Sequence, residues 1–77
     1  MNISEATAKR IKDLCNDRNI TINKLATLSG VTQSTIDSIL KGKSRNPSLV
    51  TIQKISHGLG ITIVEFFDDP IFENIED

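Results

Sequence analysis

An all-α domain of five short helices is the fold this sequence predicts, and three observations predict it. A Ser or Thr stands ahead of each apolar stretch, at Ser4, Thr21, Thr32, Ser48 and Thr62. Each hydroxyl follows a residue able to pack and precedes another four positions on, as in Ile20–Thr21–Leu25, Val31–Thr32–Ile36 and Ile61–Thr62–Phe66. A hydroxyl of this kind accepts from an orphan backbone N–H and is worth on the order of 1 kcal/mol. The flanking apolar pair staples the entry angle. Third, no stretch alternates with period two for long enough to build a sheet.

The first helix is expected over Ser4 to Arg18, with Ile3 and Ala8 as its staple. Ile11, Leu14 and Cys15 form its inner face, and Lys9, Arg10, Lys12 and Arg18 lie on other sides. Asn19 is a suitable left-handed stop. Cys15 is the single cysteine, so no internal disulfide forms, which fits a reducing cytoplasm. No second ligand accompanies it, and no metal or cofactor is expected.

Thr21 to Leu40 is the centre of the chain. Thr21 starts a helix with Leu25 and Leu28 one turn apart, and Gly30 ends it. Thr32 starts the next, whose buried side is Ile36, Ile39 and Leu40. Ala26 is the small residue that lets a second helix cross close by. Two helices joined at roughly 90–120° across so short a turn make a helix-turn-helix. Such a motif holds its second helix outward, to enter the major groove of DNA.

Lys41 to Pro47 is a loop, ended at the fourth helix by Pro47 and Ser48. That helix, Ser48 to about Leu59, carries Leu49, Ile52, Ile55 and Leu59 as a core stripe. His57 lies off the stripe and reads as an exposed polar residue, and Gly60 as the left-handed stop. The fifth helix starts at Thr62, with Glu65 completing a capping box, and ends near Asp68 or Asp69 before Pro70. Residues 1–69 form one domain on this reading, and 70–77 an acidic tail.

The residues Thr21, Leu25, Ala26, Gly30, Val31, Ser34, Ile36, Ile39, Gly42 and Lys43, followed by NPSLVTIQKISHGLGITIVEFF, resemble the phage Cro and repressor type of helix-turn-helix protein. This family is also called XRE-like, and its fold lambda-repressor-like. The likeness runs from about Ala6 to Phe67. It implies a recognition helix at 32–40 whose N-terminal residues reach base edges. Gln33 is the leading candidate, since its amide both donates to and accepts from adenine. Ser34 and Ser38 are short enough to bond a base, a phosphate or a water, and Thr35 offers a methyl to thymine. Asp37 repels phosphates, so it either accepts from cytosine or sits aside, and the second is preferred.

Phosphate contacts are assigned to Thr21, Lys41, Lys43, Arg45 and Asn46. Three of these are cations within five residues beside the recognition helix. Family members often carry Gln after the first cap of the motif, where Ile22 stands here, which removes one polar backbone contact. They also place an Arg near Cys15 and a Glu near Leu40 as an ion pair, and the apolar pair here predicts a packing contact instead.

The net charge of −1 conceals an asymmetry. Residues 1–64 hold all nine Lys and Arg against Glu5, Asp13, Asp17 and Asp37, and the last thirteen residues hold the other six acids. A basic body with an acidic tail suits phosphate binding on one face. If the tail holds the loop cations in ion pairs, that reading weakens.

No grouping of His, Asp and Ser, or of Cys and His, and no phosphate-binding glycine loop is present, so the chain does not read as an enzyme. It also lacks a signal-peptide core and a membrane-spanning run. The expected function is sequence-specific binding of double-stranded DNA as a small cytoplasmic regulator, most simply a repressor. Ile61 to Phe67 is more apolar than one short helix can bury, and a homodimer through Val64, Phe67, Ile71 and Phe72 is expected. The tail either extends that interface, folds back over its own domain or stays disordered. The rival function is a protein-interaction module, of antitoxin or anti-regulator type, using the 61–75 region.

Overall fold

The computed structural model describes residues 1–43 and 46–76. Five helices follow in order, α1 Ile3–Arg18, α2 Ile22–Ser29, α3 Gln33–Leu40, α4 Leu49–Gly58 and α5 Ile63–Phe67, then a 3-10 turn at Pro70–Phe72. No strand occurs among the described residues.

Local chemistry accounts for these boundaries. Thr21, Thr32, Ser48 and Thr62 each accept from the backbone N–H three residues on, so four of the five hydroxyl starts form as expected. Glu65 returns the bond to Thr62 and completes the capping box. Ser4 does not cap α1. Asn2 does, accepting from Glu5 N–H, while the Glu5 carboxylate accepts from Asn2 N–H. An Asn three residues before a Glu satisfies two orphan donors, and Ser4 has only Thr7 at that distance. The helix therefore starts earlier and takes Ser4 into its first turn.

Asn19 ends α1 in the left-handed conformation, at φ 58°. Gly30 does so after α2 at φ 67°, where a β-carbon would be strained, and this sets the turn of the motif. After α3, the N–H of Lys43 reaches Ser38 O and that of Gly42 reaches Ile39 O, closing the helix end.

One core joins all five helices. Ile11, Leu14 and Cys15 of α1, Leu25 and Ala26 of α2, Ile36 and Ile39 of α3, Ile52 and Ile55 of α4, with Leu59 and Phe66, form a single buried cluster. Ile20, Val31 and Ile61, each standing one residue before a cap, pack against it as staples. Leu40 also packs on the cluster that contains Cys15, where the ion pair of related sequences is expected. Burial pushes the Cys15 thiol pKa up, and nearby Arg18 only partly offsets this. α2 lies against both α3 and α4, and α1 against α3.

One residue expected in the core stripe stands outside. Leu49 is 73% exposed, because it is the first residue of α4 and projects beyond the core edge. Leu28 is 49% exposed, at the edge of the α2 face that Leu25 buries. The α4 stripe is Ile52, Ile55 and Leu59, with buried Ser56 donating to Ile52 O.

The C-terminal segment folds back on its own domain. The Phe72 ring lies 5.0 Å from that of Phe67 and 6.2 Å from that of Phe66. Arg10 of α1 donates to Phe66 O, Glu65 O and the Asp69 carboxylate. Glu76 accepts from the Met1 ammonium at 2.6 Å. Among the described residues, no helix is long and apolar enough to cross a membrane.

Candidate nucleic-acid interface

α2 and α3 present their first turns to the same side of the Gly30–Thr32 turn. Asn23 in α2 donates its side-chain N–H to Gln33 Oε1 of α3 at 2.8 Å, bridging the two helices of the motif. Asn23, Ala26, Thr27, Gly30, Val31, Thr32 and Gln33 line one notch. Both members of the bridge are exposed.

Gln33 also borders a shallow polar depression, shared with Ser34, Asp37, Ser38, Lys41 and Lys43. The structure thus brings together three of the four base-contact candidates and two of the cations. Asp37 belongs to this depression and does not sit aside. Residues 33, 37 and 41 are successive i, i+4 neighbours on one helical face, so a carboxylate at 37 must lie between Gln33 and Lys41.

Thr35 is exposed at the start of α3, with its hydroxyl bonded to the Thr32 hydroxyl at 2.8 Å. That engagement leaves its methyl as the group free to meet a base. Thr21 is exposed and accepts from Lys24 N–H at the N-terminus of α2. Its own hydroxyl proton is not used by that bond, and the positive end of the helix lies beside it.

Asn46 lies apart from this group. It lines a more apolar groove with Ile3, Pro47, Leu49, Ile52 and Phe67. Arg45, the remaining phosphate candidate, lies outside the described residues.

The charge pattern sorts the cations by role. Among the described residues the ion pairs are Met1–Glu76, Lys9–Asp13 and Arg10–Asp69. Lys41 and Lys43 are in none of them and are exposed beside the depression. Among the described residues, no carboxylate of the acidic tail pairs with these two lysines. Arg10 is 14% exposed at its side chain, and Arg18 donates to Leu59 O at 2.8 Å, so both arginines of α1 serve the fold.

Two residues escape sequence reasoning. Arg10 reads as a surface cation, and its carbonyl partners have no signature in the sequence. Asn23 has one usable signal, since it stands in the first turn of α2 as Gln33 stands in the first turn of α3.

The dimer candidates divide. Val64 is 74% exposed and Phe67 37%, and they line an apolar face with Ile63 and Asp68. Ile71 and Phe72 are half-buried, with Phe72 turned onto its own chain. Among the described residues no group of His, Cys, Asp and Glu is placed to hold a metal ion.

A helix-turn-helix family model matches residues 11–66. The transcriptional regulator PuuR of Escherichia coli is 32% identical over 65 residues, which is 84% of this chain and 35% of PuuR. The transcriptional repressor RghR of Bacillus subtilis is 37% identical over 57 residues, 74% of this chain and 42% of RghR. The chain thus spans well under half the length of these relatives. The crystal structure of prophage Lp1 protein 11 superposes with a TM-score of 0.83 at 36% identity, over 97% of this chain and 100% of that one. The matched span contains the bridge, the depression and most of the core, and the chain belongs to the Cro and phage-repressor type, XRE-like family of helix-turn-helix proteins.

Proposed function

We propose that this chain binds double-stranded DNA in a sequence-specific manner as a small transcriptional regulator, most simply a repressor. Helix 32–40 enters the major groove. The observation that supports this reading is the depression where Gln33, Ser34 and Ser38 meet the exposed lysines Lys41 and Lys43, which form no ion pair among the described residues. It pairs groups able to bond base edges with cations able to hold phosphates. Thr35 adds its methyl, and Thr21, Arg45 and Asn46 add backbone contacts along the flanks. No cofactor takes part, and no chemical step is required. The relatives bear the names of transcriptional regulators, which agrees with a non-enzymatic role. A cytoplasmic location follows from the need to reach duplex DNA.

The protein acts as a homodimer on this reading. The exposed face of Val64 and Phe67, with Phe72 packed against Phe67, is the surface that pairs two copies, and Ile71 is assigned to the same interface. A two-fold pairing doubles the bases read and places the two recognition helices about 34 Å apart, or a multiple of that.

The test is fluorescence anisotropy with DNA from the region upstream of the protein's own coding sequence, at two salt concentrations. Wild type and a Lys41→Gln/Lys43→Gln variant are titrated in parallel. Affinity should fall steeply with salt, and the variant should lower the slope by about 0.9 for each phosphate it no longer neutralises. Failure of the folded wild type to bind that DNA, or any member of a random duplex pool, would overturn the reading. Sedimentation equilibrium of Val64→Lys checks the dimer, which this charge should dissociate.

A further inference from the structure

We infer that Asp37 is a specificity residue: its carboxylate accepts from the amino group of cytosine at one position of the target and rejects guanine and thymine there. This rests on the DNA-binding reading above and deepens it.

Asp37 stands in α3 with Gln33 and Lys41 four residues away on either side, and all three line the polar depression with Ser34, Ser38 and Lys43. Among the described residues its carboxylate has no hydrogen bond and no ion pair, although two lysines border the same depression. An acid left open on a face that meets phosphates repels the duplex, and a donor on a base edge offsets that repulsion. An ionised carboxylate accepts and never donates. In the major groove guanine shows N7 and O6 and thymine shows O4, all acceptors. Adenine has the N6 amino donor, but its N7 acceptor stands beside it and faces the second carboxylate oxygen. Cytosine has the N4 amino donor with no acceptor of its own beside it on that edge. It is therefore the base that a carboxylate meets without opposing lone pairs. Asp37 lies one helical turn beyond Gln33, a rise larger than one base step, so the two residues meet different base pairs. Lys41 and Lys43 flank the acid and supply cations to the nearby phosphates. Asp37 thus adds selectivity and subtracts affinity.

Asp37 is outside the buried cluster, so its replacement removes no core packing. Wild type, Asp37→Ala and Asp37→Asn are each used to select from one random duplex library, and the bound pools are sequenced. Affinity for a random-sequence duplex is measured in parallel by fluorescence anisotropy, at low and high salt. Wild type should enrich cytosine at one position of the recovered site, and Asp37→Ala should lower that preference by about fivefold or more. Asp37→Asn keeps the shape, loses the charge and gains a donor, so enrichment at the same position should move toward adenine. Both variants should bind the random duplex about two- to fivefold more tightly at low salt, and the gain should shrink as salt rises. Gained affinity with lost selectivity marks a residue that faces DNA, since damage to the fold would lower both. If Asp37→Ala leaves every position of the recovered site unchanged, or the position it alters is not cytosine in wild type, the inference is overturned and DNA binding stands. A folded wild type that enriches no sequence overturns the DNA reading, and this inference with it.

Discussion

Gly58 at the end of α4 lies so close to Ser29 at the end of α2 that a β-carbon on Gly58 would stand 2.1 Å from Ser29 Oγ. It would also stand 3.0 Å from the Ser29 backbone N and Cα, which cannot swing away. In an open helix, Gly→Ala gains about 1 kcal/mol. Here overpacking outweighs that gain, and Gly58→Ala should destabilise by about 1–3 kcal/mol in urea denaturation. Ser29 Oγ is also buried without a hydrogen-bond partner among the described residues. Ser29→Ala removes this unsatisfied hydroxyl and should be neutral or stabilising by up to about 1 kcal/mol.

Arg10 ties the end of α5 to α1. Its guanidinium donates to Phe66 O at 2.8 Å, Glu65 O at 2.9 Å and Asp69 Oδ2 at 3.0 Å. A five-residue helix has almost no internal bonds for its last carbonyls, so an external fork of donors replaces them. Arg10→Ala leaves the two carbonyls and Asp69 without these donors and should cost about 2–3 kcal/mol by chemical denaturation. Lys at this position offers a point charge in place of a planar fork and should recover only part of the loss. Amide exchange should rise first in residues 63–72.

The link between Met1 and Glu76 depends on pH from both sides. The bond holds the Glu76 carboxyl below its ordinary pKa and the terminal ammonium above its own. The carboxylate's contribution is complete above its unfolded pKa and is lost as pH falls through the lowered folded value. The ammonium's contribution is complete below its unfolded pKa and is lost as pH rises through the raised folded value. The tail should thus be best anchored between about pH 5 and pH 7. Both groups are solvent-exposed, so the effect is local and sensitive to salt. NMR titration of the Ile75 methyl resonances should show one change on the acid side and one on the alkaline side, both weakened in high salt. Methyl resonances that move on neither the acid nor the alkaline side of the full titration would exclude the link.

Much of the fold is legible because its signals are local. Thr21, Thr32, Ser48 and Thr62 cap within three residues of themselves, and Gly30 stops a helix by its own conformation. Asn2 is open to the same logic, since Glu5 stands three residues away, but the Ser at position 4 offers a competing start. Leu49 misleads because apolar spacing marks a helical face without showing where the core ends. The site divides in the same way. Lys41 and Lys43 are visible as cations next to a recognition helix. The position of Asp37 follows from helical spacing alone, and only the expectation that it should avoid phosphate hides it. The contacts Asn23–Gln33, Ser29–Gly58 and Arg10 to the α5 carbonyls are set by how helices cross, and no local pattern encodes a crossing.

The exposure of Gln33, Ser34 and Thr35 has a consequence for how such a protein can diverge. All three lie on the surface, and exchanges at such positions usually change stability by less than about 0.5 kcal/mol. The groups proposed to choose the target are thus separate from those that hold the fold. A duplicated copy can acquire a different operator through one or two codons, with its thermal tolerance intact. On the proposed function, each step changes which DNA site is read while the fold stays as it is.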